Sequence, residues 1–145
     1  MITSKNVAEY FLLLSDPDIG DSISNLKLQK LVYYAQGFHL AMYDSPLFDE
    51  PIMAWEHGPV VESLYHEYKN FGANGITPPD EIVVTMFSDD QMNLLDEVFE
   101  VYGQYSAWKL RNMTHSESPW IRTKKNEEID QALMKRFFKT QLRNN

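Results

Sequence analysis

Leu26-Lys27-Leu28-Gln29-Lys30-Leu31-Val32-Tyr33-Tyr34-Ala35-Gln36-Gly37 is the stretch on which the fold turns. Placed at about 100° per residue, it gives a helix with two apolar faces. Leu28, Leu31, Val32, Ala35, Phe38 and Met42 form the broad face, and Leu26, Tyr33, Gly37 and Leu40 form a narrower one opposite. A helix that is apolar on both sides has to be packed on both sides. Two thin polar seams separate the faces, one of Lys27, Lys30 and Tyr34, the other of Gln29 and Gln36. The segment therefore reads as the central helix of its domain. Ser24 or Asn25 caps its start, and Asp44-Ser45-Pro46 stops it after Tyr43.

Working outward, Thr3 or Ser4 caps a first helix with Val7, Phe11 and Leu14 inward and Ala8 and Leu12 beside them, ending before Asp16-Pro17. Downstream, Pro51 to Trp55 is too short for a helix and reads as an extended segment or short strand. Gly58-Pro59 reads as the start of a third helix, because proline suits the first helical position. Its inner side is Val61, Leu64, Tyr65, Tyr68 and Phe71. A loop over 72–80 leads to a short strand expected at Ile82-Val83-Val84-Thr85. Ser88 and Gln91 form a capping box for a helix that buries Met92, Leu95, Val98, Phe99 and Tyr102. Ser106 opens the next helix, which holds Trp108 and Leu110 and ends near Thr114-His115. Pro119-Trp120 lies in the connection to a last helix from about Asp130, presenting Leu133, Met134, Phe137 and Phe138. The fold class expected is mainly α: a single compact domain spanning 1–145, with about six helices around a central buried helix and at most a small two-stranded β ribbon.

Composition narrows the function classes. The 145 residues are 43% apolar with eight Phe, eight Tyr and three Trp, enough to build a core without metal or disulfide support. The absence of cysteine excludes thiolate catalysis, disulfides and zinc ribbons. The N-terminal residues carry no apolar signal core, and no stretch reaches the roughly 18 apolar residues of a membrane span, so a soluble, unprocessed, cytoplasmic protein is expected. A net charge of -8 repels phosphate backbones and attracts basic partners. The cations nonetheless gather late, at Lys109, Arg111, Arg122, Lys124, Lys125, Lys135, Arg136, Lys139 and Arg143. They form either a local basic patch or, as charges more often do, a solvated face.

No catalytic set emerges. The histidines at 39, 57, 66 and 115 make no H-E-x-x-H motif, no serine stands in a G-x-S-x-G elbow, and no glycines form a phosphate loop. His39 reads as a core or boundary residue. His57, next to the expected helix start at Gly58, marks a weak anion-binding pole that Glu56 and Glu62 oppose. A small hydrolase using His57 or His115 with Glu56, Glu62 or Glu117 is the enzyme alternative. Trp55, Tyr65, Trp108 and Trp120 read as core by default, although Trp55 and Trp120 sit in turns where a ring can also face a partner. A binding module is what this composition permits.

The ordered series Asn25 to Gly37, Leu40-Ala41, Pro46-Leu47-Phe48, Ala54-Trp55, Gly58-Pro59-Val60, Leu64-Tyr65 and Tyr68-Lys69 resembles the Panacea domain, the SocA-like antitoxin family. His115-Ser116-Glu117-Ser118-Pro119-Trp120 is similar to the family's His-x-x-x-Pro-Trp element, and Ile129 to Phe138 to its closing helix. The resemblance implies a noncatalytic antitoxin of a toxin-antitoxin system, without cofactor or metal, that neutralises a cognate protein toxin by direct binding. No direct nucleic-acid binding is expected of it. A phage or prophage adaptor that binds a host protein is the alternative within the same physics. On this resemblance Trp55, Gly58, Pro59, Tyr65, His115, Pro119 and Trp120 are structural motif residues. Lys27, Lys30, Tyr34 and His57 are the candidate partner-binding residues, since two lysines on an otherwise apolar helix need solvent, an acid or a partner for their ammonium groups.

Overall fold

The computed structural model describes residues 1–142, so Arg143 lies outside the described residues. Among these, seven α-helices and one hairpin follow in the order α1 (Ser4–Leu14), α2 (Asn25–Tyr43), β1 (Met53–Trp55), β2 (Gly58–Val60), α3 (Glu62–Tyr68), α4 (Asp89–Tyr102), α5 (Ala107–Thr114), α6 (Ser118–Ile121) and α7 (Gln131–Lys139). The fold is mainly α, as expected. Helix α2 is the axis, packed by α1, α3, α4, α5, α7 and β2. The Ser24 side chain accepts from the Lys27 N–H at its start, and Asp44 closes its end in a left-handed conformation at φ 57°.

The packing of α2 goes further than two faces. Leu28, Leu31, Val32, Tyr33 and Ala35 are fully buried, but so are the seams: Gln29, Lys30, Tyr34 and Gln36 are each at most 2% exposed. Met42, at the open end, is exposed. The buried polar side chains of α2 are paired, as buried polar groups usually are. Gln36 accepts from the Leu47 N–H and donates to the Phe48 carbonyl, fixing the chain after α2. Lys27 donates to the Gly103 carbonyl at 2.6 Å and Lys30 to the Pro59 carbonyl at 3.0 Å. Each ammonium group donates to a backbone oxygen.

Several expectations require correction. Helix three does not begin at Gly58-Pro59: Gly58–Val60 is strand β2, paired antiparallel with β1 in the register Met53 with Val60, Ala54 with Pro59 and Trp55 with Gly58. Proline is equally at home on the outward-facing position of an edge strand, where no N–H is called for, and the turn signal was obscured because Glu56-His57 is not a usual hairpin pair. The weak anion pole at His57 disappears with that helix start. Gly58 closes the turn at φ 109°, and a Cβ there would meet Lys30 Cε and Thr114 Oγ1 at 2.7 Å each, so both backbone and space require glycine.

No strand forms at 82–85. Val83 is 67% exposed there while Ile82 and Val84 turn inward; the alternation is present, but no strand lies alongside to complete a ladder. Leu14 is exposed, leaving Val7, Ala8, Phe11 and Leu12 as the buried apolar residues of α1. Pro119-Trp120 forms the short helix α6 and not a plain connection, with proline in its first turn. Trp108 is 55% exposed and Tyr65 38% exposed, so neither is a core residue; Tyr65 faces a cleft instead of the interior.

Candidate functional site

The hairpin, the N-terminal end of α2, and α3 with the turn that follows it line a cleft of about 500 Å³. Its walls include Leu26, Gln29, Trp55, His57 and Tyr65, with Lys69 and Lys125 also lining it. The Trp55 and Tyr65 rings meet edge to face at 5.2 Å, the arrangement that their quadrupoles favour. A polar rail holds α3 against α2: Asn25 donates to the Tyr65 carbonyl, Gln29 donates to Asn25, and the Val61 N–H donates to Gln29. A smaller cavity of about 220 Å³ lies beside it, sharing Glu56 and Lys125 and walled by Trp120 and Ile121. The sequence marks Lys125 only as one of the late cations, and does not mark Asn126 at all. The signal for them is the left-handed Asn126, φ 70°, in a charged turn, which the sequence shows only as a polar run.

Trp120 ties this region together. Its indole N–H donates to the Trp55 carbonyl at 2.7 Å, and its ring stacks on His115 at 4.0 Å with an 8° interplanar angle. Burial, with the Arg111 charge second, lowers the His115 pKa below that of a free histidine. Its Nε2 is buried without a hydrogen-bond partner. Pro119, in the first turn of α6, is buried as well.

Glu117 lies two residues beyond His115 but turns toward α2, where its carboxylate accepts from the Tyr33 hydroxyl at 3.0 Å and the Tyr34 hydroxyl at 2.8 Å. Burial drives this carboxyl up to about 7, against the opposing effect of both hydroxyl bonds. Burial raises both tyrosines well above the ordinary range, with Glu117 adding to it. Lys30 is pushed down to about 7 by burial, with the Arg111 charge adding to it.

A pH dependence follows. The folded pKa of Glu117 lies above its unfolded value, so the folded state binds the proton more strongly and stability falls as pH rises from about 4.5 to about 7. Lys30 has the opposite displacement, and its contribution to stability rises from about pH 7 toward 10.5. Thermal melts from pH 5 to 7.5 of the wild type and Glu117→Gln are expected to diverge in the variant's favour as pH rises, because an amide carries no charge to bury. A constant difference across that range would refute the assignment.

Two residues of the hydrolase alternative are engaged elsewhere. His57 Nδ1 accepts from the Arg111 Nε–H at 3.2 Å, so its neighbour is a cation, and Glu117 is committed to two tyrosines. A histidine base normally needs an orienting acceptor and a nucleophile in reach. Among the described residues, no group of three or more His, Asp and Glu side chains is placed to hold a metal ion, and no helix is long and apolar enough to cross a membrane. Of the candidate partner-binding residues, His57 lines the cleft, Lys27 is mostly buried, and Lys30 and Tyr34 lie in the interior.

Comparison with known proteins places this arrangement. No solved structure matches the chain. Antitoxin SocA of Caulobacter vibrioides (strain NA1000 / CB15N) is 33% identical over 112 residues, covering 68% of this chain and 58% of that protein. The chain thus spans less than two thirds of that curated relative. Residues 28–121, from the first buried turn of α2 through the hairpin and the Trp120 clasp to the end of α6, match the family described as Antitoxin SocA-like, Panacea domain. With the match covering well over half its length, the chain belongs to the SocA-like antitoxin family and carries its Panacea domain.

Proposed function

We propose that this protein is the antitoxin of a toxin-antitoxin pair and neutralises a cognate protein toxin by direct binding, in the cytoplasm and without cofactor or catalysis. The observation that carries the reading is the family match over 28–121, supported by the curated antitoxin relative. The geometry is consistent with it: a rigid helical frame holds an aromatic cleft on a hairpin, where loops and turns usually carry recognition. In this reading His57 faces the partner. Lys27, Lys30 and Tyr34 contribute from beneath, Lys27 by holding the end of α4 at Gly103, Lys30 the hairpin at Pro59, and Tyr34 the Glu117 that precedes α6.

The test is co-expression with the product of the adjacent gene. That product is expected to arrest growth alone, to be harmless beside this protein, and to copurify with it. A neighbour that is harmless alone, or one that stays toxic and does not copurify, would sink the proposal.

A further inference from the structure

Three residues beside the cleft form a cluster that the frame does not need. Trp108 and Arg111 lie one turn apart on α5, and the guanidinium carbon sits 4.4 Å over the indole. Arg111 Nε donates to His57, and its Nη1 donates to Asn112 at 3.0 Å. The guanidinium is therefore held in one orientation by a ring and two hydrogen bonds. Its Nη2 has no acceptor among the described residues, and Arg111 belongs to neither of the ion pairs found there, Lys5 with Glu67 and Lys135 with Asp44. Its charge is instead felt by other basic groups, Lys30 and His115, whose pKa values it lowers. Trp108 remains 55% exposed.

An exposed tryptophan is costly in water, and an oriented arginine without a counter-ion is a ready donor fork for a carboxylate. Tryptophan and arginine are also the residues that most often dominate binding energy. On a chain of net charge -8 this positive point is local and selective. His57 belongs both to this cluster and to the cleft wall, where Lys69 and Lys125 outnumber the one carboxylate, Glu56, around Trp55 and Tyr65.

We infer that the surface running from Trp108 and Arg111 across His57 into the cleft docks an acidic, partly apolar segment of the partner protein. A partner Asp or Glu pairs with Arg111, and a neighbouring apolar side chain enters the cleft and packs on the Trp55–Tyr65 ring pair. The inference rests on the antitoxin reading for the identity of the partner, but the surface chemistry is testable without it.

Two measurements decide it. In the first, the isolated protein is titrated with a capped peptide in which Glu and Asp flank a Leu-Phe pair, and the Trp108 indole and Arg111 Nε–H signals are followed by NMR. Both are expected to shift with the acidic peptide and not with a Lys-flanked counterpart. Shifts elsewhere, none at all, or stronger shifts of the same signals with oligo-dT would overturn the proposal, the last in favour of a nucleic acid. In the second, Arg111→Glu is expected to lower capture of the neighbouring gene's product about tenfold. Arg111→Lys keeps the charge without the fork and is expected to fall between the two. Arg136→Glu on α7 should leave capture unchanged. If wild type and Arg111→Glu capture the product equally, the surface falls while the antitoxin reading stands. If the wild type captures nothing and the acidic peptide still titrates Trp108, the antitoxin reading falls and the surface stands.

Discussion

Gly37→Ala is expected to destabilise the protein by about 2 kcal/mol or more and to lower its melting temperature by at least about 5 °C. Helix propensity alone predicts the opposite, since alanine in a helix interior is favoured over glycine by about 1 kcal/mol. Packing decides. A Cβ at position 37 would lie 2.1, 2.2 and 2.5 Å from three ring carbons of Phe138. That ring is fully buried and meets Tyr33, Tyr34 and Phe38 edge-on at 5.4, 5.9 and 4.9 Å, so it cannot retreat without disturbing three others. Phe138→Ala by itself should cost about 3 to 5 kcal/mol through the cavity it leaves. The double variant is expected to be less damaged than the sum of the two, because the new methyl occupies space the ring has vacated. Denaturant titration of the four proteins measures this coupling, and a Gly37→Ala variant that melts at or above the wild-type temperature would show that α7 does not press on α2 in this way.

Trp120→Ala is expected to cost about 3 kcal/mol and roughly 10 °C. It removes the stack on His115 and leaves the Trp55 carbonyl without its donor. His115 should then titrate closer to a free histidine, because the ring that keeps water from it is gone. Trp120→Phe keeps a ring but no N–H, and should lose about 1 kcal/mol. Under the proposed function, neutralisation would fall with stability in both. Should the melting curve stay unchanged while binding is abolished, Trp120 would be an exposed anchor for the partner instead of a clasp.

The central helix was legible because its double periodicity is a one-dimensional signal with local caps, and the Ser88 and Gln91 box and the Ser106 cap were legible for the same reason. The hairpin was not. Gly58-Pro59 is compatible with a helix start and with an edge strand, and what chooses between them is Lys30, 29 positions upstream of the carbonyl it holds. The Ile82–Thr85 run failed for a related reason: strands exist in pairs, and no local pattern reports whether a partner is present. At the candidate site, His57 was visible as a turn residue, whereas the contribution of Arg111 depends on meeting His57 across 54 positions. Trp108 was assigned to the interior because tryptophans usually lie there.

The hairpin has a consequence for how partners can engage it. An exposed sheet edge offers a row of backbone donors and acceptors to any incoming strand. On the β2 side, the Pro59 carbonyl is taken by Lys30, proline has no N–H to offer, and the next outward group, the Val61 N–H, is given to Gln29. On the β1 side, Ala54 exchanges both of its backbone bonds with 126–127, and the Ile52 carbonyl accepts from the Ile129 N–H. Neither side leaves a template for strand addition. Contact here must be read through side chains, and side chains can be exchanged one at a time without breaking a backbone bond, so specificity can drift while the frame stays fixed.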